Sequence, residues 1–432
     1  MRAFRFAGTT IVFAALMTVS AVPLYAQDAA AAQALRTEID QLKKDFDTRL
    51  ADLEQRLAAL SGQPPAGVVA VPVTPTGTTS APTPAPAGAE GGGALPVYGN
   101  ASASSKVFNP DTAVIGNFLG AGGKNEVRPT PALELSESEV SFQAIVDPYA
   151  RADFFLSFGE QGVSVEEGFL TFPTLPGDLL MKVGKMRAAF GKVNTLHTHV
   201  LPWTDRPLVT ENLVGGEDGI SDAGISLSRL IPNPWIFLEG TGQVFRGDSD
   251  DLFHSSQRRD LSYVGHVRGY HDVSESSNLD LGVSYAHGHN TAGLVDNQDI
   301  SRFVTDLFGV DGTVRWRPLR RSIYHSFLGR GEFIVSRRDQ VGGLQSAKGF
   351  YLSGDYQMGR RWFTGLRFDR SGRPNAADLH DSGRSLIITY WPSEFSQVRA
   401  QLRRTNYAEG ENATEFLFQF QFAIGAHGAH PF

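Results

Sequence analysis

Between Thr414 and Ile424 the side chains alternate strictly: Phe416, Phe418, Phe420, Phe422 and Ile424 fall on one face, and Leu417, Gln419, Gln421 and Ala423 on the other. An extended strand turns successive side chains to opposite faces, so this segment offers one apolar and one mostly polar surface. The same period recurs upstream, where Phe350, Leu352, Tyr356 and Met358 point one way and Tyr351, Ser353, Asp355 and Gln357 the other. Sixteen such segments can be placed between 98 and 432. The pattern predicts an all-β chain, a transmembrane antiparallel β-barrel of about 16 strands, with apolar side chains toward lipid and polar ones toward the lumen. Sixteen strands leave an aqueous interior, whereas eight would fill with side chains.

Turn residues divide the segments in an alternating rhythm. Short turns are expected at Asp147-Pro148, Pro173 to Gly177, Pro232-Asn233, His271 to Ser277, Pro318 to Ser322, Gly359-Arg360 and Pro392 to Phe395. Longer polar connections are expected at Gly120 to Thr130, Ala188 to Ile220, Gly247 to Asp260, Gly288 to Arg302, Arg337 to Lys348 and Ser371 to Gly383, with briefer ones at Gly159 to Gly162 and Ala408 to Asn412. An even strand count places both ends of the barrel on one side, and short turns on that side suit the periplasm.

Ahead of the barrel the pattern changes twice. Arg2 and Arg5 precede an apolar run from Thr10 to Leu24 that ends in Tyr25-Ala26, the form of a secretory signal peptide over 1–26. Within 27–62, Leu35, Ile39, Leu42, Phe46, Leu50, Leu53, Leu57 and Leu60 follow spacings of three and four between charged residues, which predicts a periplasmic coiled coil with a stutter after Phe46. Such a helix would be roughly 50 Å long at about 1.5 Å per residue. The stretch 63–97 is rich in Pro, Ala, Gly and Thr and cannot bury a core, so it reads as a disordered linker, with the outer-membrane barrel over 98–432.

Composition narrows the chemistry. The chain has no cysteine, which excludes disulfides, a lipoprotein anchor and thiol-based metal sites. A net charge of -7 argues against nucleic acid as a partner. No nucleophile elbow or nucleotide loop is present, so no catalytic residue, enzyme activity or cofactor is expected. His197 and His199, His287 and His289, and His427 and His430 form pairs that could offer imidazoles to a metal. Spacing alone does not make a site of them, and no metal is assigned, His197 and His199 remaining the candidates.

The strand phase places Arg151 with Asp153, Arg315, Arg330, Arg367 with Asp369, and Arg399 with Arg403 in the lumen as pore lining. Acids and bases interleave there, so any one arginine is either a selectivity element or half of an ion pair bracing the wall. The connection from Ala188 to Ile220, the longest in the barrel, follows the fifth strand. Lys182, Lys185 and Arg187 precede it, and it contains Lys192, His197, His199, Trp203, Asp205, Arg206 and Glu211.

Several segments carry a resemblance to a known group of proteins. Val146-Asp-Pro-Tyr149, Arg151-Ala-Asp-Phe-Phe155, Val165-Glu-Glu-Gly-Phe169, Gly184-Lys-Met-Arg-Ala-Ala-Phe-Gly191, Asn194, His197-Thr-His199, Asp205-Arg-Pro-Leu208, Leu230-Ile-Pro232 and the terminal Gly425 to Phe432 resemble proteobacterial porin-like outer-membrane barrels of the phosphate-selective type. Some relatives carry labels mentioning zinc-regulated TonB-dependent receptors. This chain departs from such receptors, because a helix and a linker cannot plug a lumen and the roughly 22 strands of those receptors exceed the count here.

The resemblance implies a homotrimer, which gives the coiled coil a natural role. It also implies a third external loop that folds inward and narrows the channel, with an outward surface loop as the alternative. The pore constriction would then hold Lys182, Lys185, Arg187, Lys192, Arg206 and Asp205. A terminal aromatic, Phe432, in the register of the apolar face is common in bacterial outer-membrane barrels and implies the barrel-assembly machinery as a partner beside outer-membrane lipid. The expected function is passive diffusion of small hydrophilic solutes or ions across the outer membrane of a Gram-negative bacterium, anions favoured. The alternatives are a specific uptake barrel for a metal ion or metal complex, and an envelope tether.

Overall fold

The computed structural model describes residues 110–425, apart from 160, 161, 250, 251, 296, 297, 300 and 301, together with Gln41 and Lys44, both helical. The stretches expected to form a signal peptide, a coiled coil and a linker, apart from those two residues, lie outside the described residues, as do 98–109 and 426–432.

Eighteen strands follow in chain order: β1 Asp111–Lys124, β2 Leu133–Asp147, β3 Ala150–Gly159, β4 Gly162–Leu175, β5 Leu179–Arg187, β6 Ser221–Leu230, β7 Phe237–Phe245, β8 Ser262–Ser274, β9 Ser277–His289, β10 Leu294–Val295, β11 Gln298–Asp299, β12 Val304–Trp316, β13 Phe327–Arg338, β14 Gln345–Gln357, β15 Trp362–Arg373, β16 Ala376–Ser393, β17 Ser396–Asn406 and β18 Asn412–Gly425. The two-residue strands β10 and β11 pair only with each other, and the other sixteen close into one antiparallel barrel. Strand β18 completes the ring against β1, from Ala113 opposite Gly425 to Lys124 opposite Thr414. Closure leaves no unpaired edge, the condition for a sheet to stand in hydrocarbon.

The expected alternation decides what each face meets. Phe154, Leu281, Val310, Phe368, Leu386 and Leu402 are exposed on the outer wall, whereas Asp153, Asp280, Asp311, Arg367 and Gln401 are buried inside. In the last strand Phe416, Phe420, Phe422 and Ile424 are exposed, and Gln419 and Gln421 are buried. This inverts the arrangement of a water-soluble protein and matches a barrel whose solvent outside is lipid. Around the short-turn end Tyr149, Trp235, Trp316, Tyr324, Tyr356 and Trp362 stand exposed, an aromatic girdle at the level where headgroups meet hydrocarbon.

Sixteen barrel strands and the alternation of connections agree with the sequence pattern, and the loop bounded by β5 and β6 runs from Ala188 to Ile220 as expected. Several connections differ: Gly120 to Thr130 shifts to 125–132, and Arg337 to Lys348 narrows to 339–344 because β13 and β14 pair out to Arg338 opposite Gln345. Ser371 to Gly383 is no long loop: β15 and β16 pair onward to Arg373 opposite Ala376. Its polar sequence reflects strands that project beyond the apolar band and meet water on both faces. Conversely, the connection expected over Pro318 to Ser322 extends from Arg317 to Ser326.

Gly184 in β5 shows how tightly neighbouring strands approach. Its φ is +143°, and a Cβ there would lie 2.2 Å from the Gly168 carbonyl oxygen and 2.6 Å from Phe169 Cα. Both obstacles are backbone, so the strands themselves would have to separate. Gly184→Ala is expected to cost about 1–3 kcal/mol and to lower the temperature at which the folded, fast-migrating form is lost in gel electrophoresis. An unchanged transition would show that β4 and β5 tolerate the separation.

Candidate pore constriction

The Ala188–Ile220 loop lies inside the barrel. It holds two short 3-10 turns, Val193–Thr195 and Thr198–Val200, and a helix α1, Leu208–Leu213. Its neck is closed by Asn194, whose Nδ2 donates to the carbonyls of Ala188 and Ile220 and whose Oδ1 accepts from the Ile220 amide at 2.8 Å. A loop returning to adjacent strands with buried peptide groups must satisfy them locally, and one asparagine supplies both donor and acceptor.

From that neck the loop attaches to several walls. The Lys192 and Val193 amides both donate to the Glu332 carboxylate of β13, the second at 2.7 Å. The Gly191 amide donates to Ser284 Oγ of β9 at 2.9 Å, and the Ala189 amide to Gln243 of β7 at 2.7 Å. Asp205 is held on the β15 to β17 wall. Arg367 and Arg403 each donate to its carboxylate at 2.7 Å, Gln401 donates at 2.5 Å, and Arg367 also reaches its carbonyl at 2.9 Å. The two guanidiniums outweigh burial and hold the Asp205 carboxyl well below the usual carboxylate range.

Between these attachments the loop encloses an apolar core. Phe190, Leu201, Trp203, Val209 and Leu213 pack with inward residues that include Phe245, Leu307, Ile334, Tyr351 and Ile387. Trp203 is 1% exposed, meets Tyr351 edge-on at 5.2 Å and has the Arg367 guanidinium 4.9 Å from its ring. The lumen is therefore partly dry at the level of the loop. The expectation that inward positions are polar is corrected for these residues, which cover the apolar side of the loop and exclude water.

The basic residues expected at the constriction take different positions. Lys182 faces inward, its ammonium 4.6 Å from the Phe169 ring centroid. Lys192 faces Asp280 at 3.0 Å and Asp311 at 4.0 Å. Arg187 is buried beside Glu166 at 3.4 Å and donates to the Asp218 carbonyl. Arg206 is turned into the loop, donating to the carbonyls of Val193 and Leu196, and burial, with nearby Arg187, lowers it to about 10.

Lys185 does not join them. It is exposed and donates to the Val165 carbonyl at 2.6 Å, on the face it shares with its register partner Ala223. Simple alternation already separates it from Lys182: with Lys182 and Met186 inward, Val183 and Lys185 fall on the outer face, and β5 keeps an unbroken register with β6. Among the expected lining residues, Arg151 pairs with Asp153 at 2.6 Å and Arg330 with Asp355 at 2.7 Å. Arg399 donates to the Trp203 carbonyl and to Gln419, and Arg403 pairs with Glu415 as well as Asp205. Arg315 faces the lumen beside Arg330 and Arg399.

His197 and His199 both sit in the loop against β2 and β4. His197 Nδ1 lies 2.7 Å from Glu139 and 2.9 Å from Glu166, while Nε2 lies 2.8 Å from Glu167. Burial opposes charge on the ring, but these three carboxylates raise its pKa well above the ordinary imidazole range. A β-bulge makes the contact possible. Phe155 pairs with Glu167 and Leu156 with Val165, so Glu166 is the extra residue and both glutamates face the lumen. The doubled acid in Val165-Glu-Glu-Gly-Phe169 marks that bulge in the sequence; the loop contacts of Glu137, Glu139, Glu332 and Gln401 have no comparable local signal. Elsewhere His287 pairs with Asp306 at 2.8 Å, and His289 lies 3.1 Å from Arg302.

A closed sixteen-stranded barrel with an apolar outer wall, an aromatic girdle and the loop after its fifth strand seated in the lumen defines the class of porin-like outer-membrane barrels. Within it, the chain belongs to the family of an uncharacterized protein of Aquifex aeolicus (strain VF5), to which it is 30% identical over 355 residues, 73% of this chain and 74% of that protein. No family model matches the sequence. An anion-selective porin from Comamonas acidovorans shares the fold at 12% identity, with a TM-score of 0.51 over 72% of this chain and 98% of that one. Salmonella typhi OmpF, in a complex with daunomycin, does so at 8% identity and a TM-score of 0.50, over 73% and 97%.

Proposed function

We propose that the chain is an outer-membrane diffusion channel for small hydrophilic or ionic solutes, favouring anions. The observation that carries this reading is the Ala188–Ile220 loop lying across a barrel whose lumen retains polar cavities beside it. One cavity, of about 340 Å³, reaches from Asp178 to Lys192 and is lined by Lys182, Arg268, Glu167 and Glu239 among others. A second, of about 160 Å³, lies against Val200 and Pro202 and is lined by Arg315, Arg317, Arg330 and Arg399, with Asp355 among its other lining residues. The excess of guanidinium there supports an anion preference. It replaces the constriction lysines as the source of positive potential.

The aromatic girdle and short turns support placing that end at the periplasmic face. On this reading 1–26 is a removed signal peptide, and the 27–62 coiled coil stands in the periplasm on the 63–97 linker and assists a homotrimer. Solute transfer involves no chemical step: ions exchange hydration for the arginine-lined wall and leave by diffusion. Recordings of the purified chain in planar bilayers under a salt gradient test this. Stepwise current in multiples of three with an anion-signed reversal potential is expected. The double variant Arg315→Gln with Arg330→Gln is expected to lower the anion-to-cation permeability ratio by roughly twofold or more. An unchanged ratio would remove these arginines from the selectivity path, and absence of current from folded protein would remove the channel itself.

A further inference from the structure

Where the loop meets β2 and β4, two imidazoles and three carboxylates converge in a pocket almost closed to water. His197 Nδ1 lies 2.7 Å from Glu139 Oε2 and 2.9 Å from Glu166 Oε2. His199 Nδ1 lies 3.7 Å from Oε2 of both Glu137 and Glu139. Ligand atoms of Glu139, His197 and His199 all fall within 4.8 Å of one another, as do those of Glu137, Glu139 and Glu166. Glu137 is 6% exposed, Glu139 2% and His199 3%.

The cluster is not explained by its own hydrogen bonds. Among the described residues, neither carboxylate oxygen of Glu137 and no partner of His199 Nδ1 completes a hydrogen bond. Glu166 and Glu167 add negative charge, and the cations in contact are Arg187 and, when protonated, His197 and His199. Four carboxylates thus exceed the positive charge that meets them, an arrangement that burial strongly disfavours.

We infer that Glu139, His197 and His199, with Glu137 beside His199 at their edge, form a binding site for a divalent transition-metal ion, which ties the lumen loop to the barrel wall. Zn²⁺ bonds of about 2.0–2.2 Å to nitrogen and oxygen put tetrahedral ligand atoms roughly 3.3 Å apart. The separations of 2.7 and 3.7 Å bracket that value. Two imidazoles with carboxylates suit Zn²⁺ and its neighbours, whereas Ca²⁺ and Mg²⁺ take oxygen shells. Beyond the ligands, His197 Nε2 lies 2.8 Å from Glu167, which also accepts the Arg187 amide at 2.7 Å. A carboxylate on the far ring nitrogen orients Nδ1 toward the ion. The ion belongs to the loop attachment and is not cargo, so the inference goes beyond the diffusion reading.

Calorimetric titration of ZnCl₂ into the chelator-treated, detergent-folded full chain tests it, with His427→Ala and His430→Ala introduced to remove the terminal pair. One Zn²⁺ per chain is expected. His199→Gln and Glu137→Gln should each weaken binding at least about tenfold, and Glu167→Gln about 10–100-fold through the ring it orients. Folding of every variant is checked by heat-modifiable migration, and Glu167→Gln serves where a ligand variant fails to fold. Absence of stoichiometric binding, or an affinity unchanged in the variants that fold, overturns the site. Conductance of the same preparations separates the readings: current without Zn²⁺ binding refutes this inference alone, and Zn²⁺ binding without current refutes the channel alone.

Discussion

Asp205→Ala is expected to free the loop from the β15 to β17 wall and to raise single-channel conductance, with noisier open current. The carboxylate accepts from Arg367, Arg403 and Gln401 at once. Its removal leaves Arg367 with Asp369 and Arg403 with Glu415, each short of the partner they shared. Breaking a buried charge network by deleting one member costs about 3–5 kcal/mol, because the remaining charge stays buried. The loop retains its neck at Asn194 and its attachment at Glu332, so the barrel itself should persist. Two further outcomes follow from the sign of the change: anion preference should increase, and amide exchange should accelerate over 201–213. Conductance, selectivity and exchange all matching the unaltered protein would show that Asp205 does not anchor the loop.

The residues that make this attachment show which parts of the architecture a sequence can reveal. Barrel strands are legible because each one repeats the same two-residue period against the same two solvents, lipid and water, so Phe416 to Ile424 already states the rule for the whole wall. The bounds of the Ala188–Ile220 loop are legible for the same reason, since alternation stops and restarts there. What fills the lumen is not. Leu307, Ile334 and Ile387 sit at inward positions, where an isolated strand gives no hint that a distant loop will cover them.

Charge shows the same division. Arg367, Arg399 and Arg403 have the inward strand parity, but whether an arginine meets solute or loop depends on residues more than 150 positions away, such as Asp205 and the Trp203 carbonyl. Lys185 fails on parity alone: three residues on from the inward Lys182, it falls on the outer face of an unbroken strand. The His197-Thr-His199 spacing is visible, whereas its carboxylate partners come from two strands that only the closed barrel brings together.

Trp203→Ala is expected to loosen the loop without changing its charge, which distinguishes it from Asp205→Ala. The indole is 1% exposed and fills the space between Tyr351 and the Arg367 guanidinium. Truncating a buried tryptophan to alanine costs about 3–5 kcal/mol, combining lost transfer energy with the cavity left behind. The Trp203 carbonyl still accepts from Arg399, so the backbone keeps one attachment while the core beneath it empties. Protease cleavage within 188–220 should become faster and current noise should rise, while the reversal potential stays where it was. Trp203→Phe should recover most of the packing, and it removes an indole N–H that has no partner among the described residues. The two positions share Arg367, so the double variant with Asp205→Ala should cost less than the two single changes added. Full additivity would mean that the aromatic core and the ionic anchor hold the loop independently, and a shifted reversal potential in Trp203→Ala would mean that the core also sets the charge a solute meets.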